Sequence, residues 1–340
     1  MFMPRARSGR MAAVTATAMG VGLGLLGAAP SQAADTIAVR CAAESLQTAI
    51  DNAPADSTLK VSGHCVGPFT IDKNLTVVGV DSATLDGNHA GRTLTVTGPA
   101  VVKLSKVRII GGRSTTGSGG GGILNAGATL TLTHCVVSEN VSSSTGGGIR
   151  NEGTLTLDDT TVRHNTAATL GGGIDNVGAS GRSLTVTDSR IHDNTATTIN
   201  GGGLFNDGTA SLTRTVVEHN SAVTGGGIRN TGSQGRLTLT KVKVRFNLAS
   251  EQGGGLGVGV GATTRISDSK IHGNTAQGGP GSGGGIRNDG AVTLTRTTVV
   301  DNHPENCAPD IAGCVNTPLA ATGAAKSSPH TPARPDGERV

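Results

Sequence analysis

From Thr58 onward, apolar and polar residues alternate in short runs separated by Gly, Asn, Asp and Pro. A period of two predicts short strands with one buried face. Leu59-Lys60-Val61, Phe69-Thr70-Ile71, Leu75-Thr76-Val77 and Ala83-Thr84-Leu85 open the pattern, and Leu94, Val96, Leu104, Val107 and Ile109 continue it. Over residues 118–303 it becomes a repeat. Gly146-Gly147-Gly148-Ile149-Arg150-Asn151 recurs as Gly120 to Asn125, Gly171 to Asn176, Gly201 to Asn206, Gly225 to Asn230 and Gly283 to Asn288. One copy, Gly253-Gly254-Gly255-Leu256, has decayed and carries Val258 where Asn should stand. A second phrase, V/I-x-x-N, ends at Asn140, Asn165, Asn194, Asn220, Asn247, Asn274 and Asn302, at spacings of 25, 29, 26, 27, 27 and 28 residues. Such a period predicts a solenoid.

Aligned on that asparagine, the coils show inward columns. Ten and eight residues earlier stand Leu130/Leu132, Leu155/Leu157, Leu184/Val186, Ala210/Leu212, Leu237/Leu239, Thr264/Ile266 and Val292/Leu294. Three residues earlier stand Val137, Val162, Ile191, Val217, Val244, Ile271 and Val299. Each coil reads as three strands: one after Gly-Gly-Gly, the L-T-L-T strand and the V/I-x-x-N strand. They would stack in parallel on the next coil, about 4.8 Å away. The asparagines Asn125, Asn151, Asn176, Asn206, Asn230 and Asn288 form one expected amide ladder, and the seven V/I-x-x-N asparagines form another. Both satisfy polar groups at inward corners.

The ends differ from the middle. Ala42, Leu46, Ala49 and Ile50 recur at helical spacing before Asn52-Ala53-Pro54, so residues 34–57 read as a cap with a short helix over the solenoid end. Residues 58–315 are the expected β-helix. Residues 1–33 read as an export signal: Arg5, Arg7 and Arg10, an apolar stretch from Val14 to Leu26, then Ser31-Gln32-Ala33. Residues 316–340 are rich in Ala, Pro and Ser without apolar period, which predicts a disordered tail. Export predicts a secreted, extracellular or envelope-associated protein with no membrane span after cleavage. In that oxidising setting, Cys41–Cys65 and Cys307–Cys314 are expected disulfides at the two ends, and Cys135 a buried thiol.

Composition narrows the partners. The formal charge of +4 owes three units to the leader, so the mature chain is near neutrality and no nucleic-acid partner is expected. There is no Trp or Tyr, and of four Phe only Phe69, Phe205 and Phe246 follow the leader. A sugar cleft lined by stacked aromatic rings is therefore not expected.

The repeats resemble the G-G-A-I and F-x-x-N motifs of the chlamydial polymorphic outer membrane proteins. The first stands here as G-G-G-I-x-N and the second with Val or Ile, as in Val137-Ser138-Glu139-Asn140. Over about residues 40–315 the chain resembles the pectin-lyase-like superfamily, which implies an all-β, right-handed parallel β-helix. The shared motifs build coils and carry no catalytic residues.

That superfamily includes polysaccharide lyases and glycoside hydrolases, whose sites are acids and bases stacked on one exposed face, and two stacked ionisable columns stand in this sequence. One lies in the turn after the L-T-L-T strand: His134, Asp159, Asp188, Arg214, Lys241, Asp268 and Arg296. Asp158, Asp159 and Asp188 beside Arg214 and Lys241 are candidates for a pectate-lyase-like cation cluster with a basic catalyst. The other lies before the V/I-x-x-N asparagine: Glu139, His164, Asp193, His219 and Phe246, with Ser138, Arg163, His192, Glu218, Arg245 and His272 one residue earlier. There, His164, His192, Asp193 and His219 are the acid–base candidates. Alternating sign along both columns equally describes a salt-bridge ladder on an exposed face. Stacked Thr131/Thr133, Thr185/Thr187, Thr238/Thr240 and Thr293/Thr295 resemble an ice-binding array, interrupted by Asp158, Ser211 and Arg265. The reading that results is a rigid surface or binding protein, adhesin-like, without resident metal or cofactor. Its expected partner is an extracellular glycan or cell-surface component, and the alternative is a polysaccharide-acting enzyme.

Overall fold

A computed structural model describes residues 35–316, apart from residue 116. The expected export signal lies outside the described residues, as does the expected tail from residue 317. Asn316, assigned to that tail, is instead held by the C-terminal loop: it exchanges hydrogen bonds with Cys307 and reaches Asp310.

The described residues form a right-handed parallel β-helix with one short helix. Strands of successive coils pair in parallel and in register, so Leu130, Leu155, Leu184, Ala210, Leu237, Thr264 and Val292 follow one another along one line. Most of the inward Leu, Val and Ile side chains are fully buried and stack as a single narrow core. Among the described residues, no helix is long and apolar enough to cross a membrane.

The coil has four strands where three were expected. After the V/I-x-x-N asparagine comes a piece such as Val141–Ser142 or Thr166–Ala167, and these pieces pair as a seven-stranded sheet. Two residues are too few to show a period. The L-T-L-T and V/I-x-x-N strands belong to one 19-stranded sheet. In an early coil they are continuous, as Leu75–Asp86, bent where Asp81 and Ser82 take φ of 50° and 63°. The strands after the Gly triplets form the third sheet, of ten.

At the N-terminal end, Ser45 caps the helix Leu46–Asn52, which buries Leu46 and Ile50. Gln47 gives its amide to Thr70 O and takes the Thr70 N–H, satisfying an otherwise open strand edge. The cap also contains a strand that the sequence did not reveal, Thr36–Arg40, paired with Thr58–Val66. Cys41–Cys65 and Cys307–Cys314 are bonded at the two ends. Burial pushes the Cys135 thiol up to about 11, so it stays protonated and inert.

One ladder runs from Asn140 through Asn165, Asn194, Asn220, Asn247 and Asn274 to Asn302. Each carboxamide donates to the next at 2.9–3.0 Å. Asn306 extends it by one rung at 3.1 Å. The other runs from Asn125 through Asn151, Asn176 and Asn206 to Asn230 at 2.7–2.8 Å. It ends there, because Val258 offers no acceptor and Asn230 turns to Thr264 Oγ1. Asn288, assigned to this ladder, stands beyond the break, half-buried, with its oxygen on the Gly290 N–H.

Candidate functional site

Both ionisable columns occupy the two bends that flank the V/I-x-x-N strand. His134, Asp159, Asp188, Arg214, Lys241, Asp268 and Arg296 have φ between 45° and 57°. Glu139, His164, Asp193, His219, Phe246 and Asp301 have φ between 52° and 60°. A left-handed residue turns the chain there without a Gly, and Asp and His tolerate it best. The residue types that suggested chemistry are thus partly explained by backbone geometry.

At the first bend four of the charges are spent on one another. Arg214 makes a two-pronged bond to Asp188, and Arg296 does the same to Asp268. Asp159 lies 3.4 Å from His134 Nδ1. The guanidiniums hold the Asp188 and Asp268 carboxyls below their ordinary range, which suits an ion pair rather than a proton carrier. Asp158, at the end of its strand, contributes to the field that raises Arg214. Lys241 sits beside the occupied Asp268.

The second bend brings His192 and Asp193 together, with Nδ1 and Oδ2 2.5 Å apart. Burial lowers the His192 pKa further than Asp193 raises it, so the ring is neutral near pH 7. His164 meets the His192 ring edge-on at 5.9 Å, and His219 stacks on Phe246 at 5.4 Å. The neighbours of His192 in register are Arg163 and Glu218. The nine catalytic candidates therefore divide between two bends and do not converge on one point. Among the described residues, no group of three or more His, Cys, Asp or Glu is placed to hold a metal ion.

Two members of the second column are buried, contrary to the exposed face expected of it: Ser138 is 0% and Glu218 1% exposed. Glu218 lies between Arg190 and Arg245 of the flanking coils, each bonded to one carboxylate oxygen. Burial alone would raise its pKa; the two guanidiniums outweigh that and hold it below 4.5. A depressed carboxyl gives stability that is present above its unfolded pKa and is lost as pH falls through the folded one. Acid titration should therefore destabilise the wild type below about pH 4.5 more than Glu218→Gln, which at pH 7 should be about 2 kcal/mol less stable. Denaturant midpoints across pH measure both.

A third outward column escaped the sequence reading because it occupies the variable position of G-G-G-I-x-N. It runs Arg150, Asp175, Phe205, Arg229, Gly257 and Arg287 along the ten-stranded sheet. Arg150 bonds Asp175 and Glu152, and Arg287 bonds Asp289. Arg229 has no partner for Nε or Nη1, and Nη1 lies against the space left by Gly257. Lys243 and Lys270, on the V/I-x-x-N strands, also escaped notice. Their outward position gave no signal beyond ordinary alternation.

No protein-family model and no curated protein matches the chain. Among solved structures, the crystal structure of pectate lyase Pel9A is similar, with a TM-score of 0.48 and 11% identity over 82% of each chain.

Proposed function

We propose that this chain is a secreted, rigid β-helix that binds a partner on its exposed strand faces and performs no chemistry on it. The observation that carries this reading is the mutual pairing of the bend residues. Asp188 with Arg214 and Asp268 with Arg296 are closed ion pairs, so neither of these carboxylates is poised to exchange a proton. Columns of this kind hold neighbouring coils in register and leave a stiff rod with flat faces. Two disulfides at the ends suit an oxidising, extracellular setting.

One feature supports the alternative of a polysaccharide-acting enzyme. His192, neutral and oriented by Asp193, has the form of a general base. Its neighbour Glu218 is already held by two arginines, so the second acid that glycoside cleavage requires is not free.

Incubation of the purified protein with a polysaccharide panel, with and without Ca²⁺, tests the reading. No new reducing ends and no absorbance from unsaturated products are expected. Turnover that disappears in His192→Gln or Asp188→Asn would overturn it.

A further inference from the structure

We infer that the basic, aromatic surface formed by Lys241, Lys243, Lys270 and Phe246 is a binding site for a sugar chain bearing carboxylate or sulfate groups. This rests on the reading of the protein as a binding rod, and it names the face and the ligand class.

The cations come from consecutive coils. In Lys241-Val242-Lys243-Val244-Arg245-Phe246 the valines point inward and are buried, while Lys241, Lys243 and Phe246 are exposed. Lys243 and Lys270 are register partners on adjacent strands, so two like charges sit one strand spacing apart. Such a pair is mutually unfavourable without a counter-charge. The two carboxylates closest to it are engaged elsewhere: Asp268 is taken by both prongs of Arg296, and Glu218 by Arg190 and Arg245, while Asp301 acts on His272 at the far end of the Lys270 strand. Among the described residues, the three lysines have no ion-pair partner, since the nearest acids are bonded to Arg190, Arg245 and Arg296. These lysines line a shallow depression of about 520 Å³ between the bend and the strand, floored by Val242 and Ser269.

Phe246 supplies the sugar-facing part. It is 45% exposed, and a bulky side chain at φ 54° is a rare arrangement. Its ring lies over Gly273, where a Cβ would come within 2.6 Å of it. His219 stacks on the ring and His272 meets it edge-on, both at 5.4 Å, and Arg245 lies 5.6 Å from its centroid. The ring is thus held in place by His219, His272 and Gly273, with N–H groups beside it and nearly half of its apolar surface open to solvent. That matches a pyranose, which has an apolar face and a hydroxyl edge. The positive field is also felt by His272, whose pKa burial lowers first and Lys270, Arg245 and Lys243 lower further, against an opposing pull from Asp301. The face beyond the ring is cationic rather than apolar, which suits a charged polymer and not lipid insertion.

The test is binding of the purified protein to alginate, dextran sulfate, neutral dextran, inorganic polyphosphate and anionic phospholipid vesicles, at several salt concentrations. Alginate and dextran sulfate separate a carboxylate preference from a sulfate preference. At least one should bind, more weakly as salt rises. Lys243→Glu/Lys270→Glu should weaken it about tenfold or more, while the off-site pair Lys60→Glu/Lys103→Glu should change it less than about threefold. Phe246→Ala should weaken the acidic sugar chains but not polyphosphate. Three results would overturn the inference: equal losses in both charge-reversed pairs, no effect of Phe246→Ala on the sugars, or vesicles or polyphosphate bound as tightly. Cleavage of a bound polymer would sink the non-catalytic reading and leave this site standing. Absence of both binding and cleavage would sink the site alone.

Discussion

Asn194→Ala should cost about 4 kcal/mol and open the helix locally on both sides of its coil. Asn194 is fully buried, and its Oδ1 accepts from both the backbone N–H and the side-chain amide of Asn165. Its own Nδ2 serves Val162 O, His192 O and Asn220 Oδ1. Truncation orphans two buried donors of Asn165 at about 1–3 kcal/mol each, and the vacated volume adds to that. Because a solenoid coil leans only on its neighbours, the damage should be local. Amide exchange should quicken around Asn165 and Asn220 while the N-terminal coils stay protected. Asn288→Ala removes a G-G-G-I-x-N asparagine from a half-buried position outside either ladder, and should cost under about 1 kcal/mol. Equal costs for the two would refute the ladder as a source of stability.

Gly172→Ala should be at least as damaging, for a different reason. A Cβ at Gly172 would lie 2.4 Å from Thr195 C and 2.5 Å from Gly202 O, all rigid backbone. Those atoms belong to the next coil, whose distance is fixed by Gly172 N–H to Gly201 O at 3.1 Å and Gly173 N–H to Gly202 O at 3.0 Å. No rotamer can relieve the clash, so the coils must separate and lose those bonds. The cost should reach or exceed the upper end of the about 1–3 kcal/mol typical of overpacking. Gly181→Ala meets open space and faces only the strain of φ +80°, so it should cost about 1 kcal/mol. Soluble yield and denaturant midpoints of both variants decide this; near-wild-type stability of Gly172→Ala would contradict the tight turn.

The core was legible because alternation and coil-to-coil agreement are two independent signs of one inward face. Leu130, Leu155, Leu184 and their successors stand in register as their spacing implied. The longer ladder was legible for the same reason, since a buried amide can recur only where it meets its own copy. Its shorter companion was readable only to Asn230: Asn288 matches the motif, but Val258 removes the rung between them.

The bends carry two signals at once. Asp188, His164 and Asp193 read as stacked acids and bases, and their positive φ values add a backbone reason for the same residue types. Sequence carries residue type but not φ. The cross-coil clasp of Glu218 was only half legible: Arg245 is its neighbour in one column, but Arg190 stands two residues earlier in its own repeat. Lys243 and Lys270 were hidden because an outward lysine on a strand is ordinary until its register partner is also a lysine.

The most direct test of the account is the fate of a ligand held by the protein. An acidic oligosaccharide of defined length, retained by the wild type, would be incubated, released with high salt and weighed by mass spectrometry. Recovery of the intact oligomer, with retention abolished in Lys243→Glu/Lys270→Glu, is the expected result. Shortened or unsaturated fragments that vanish in His192→Gln would show an enzyme instead.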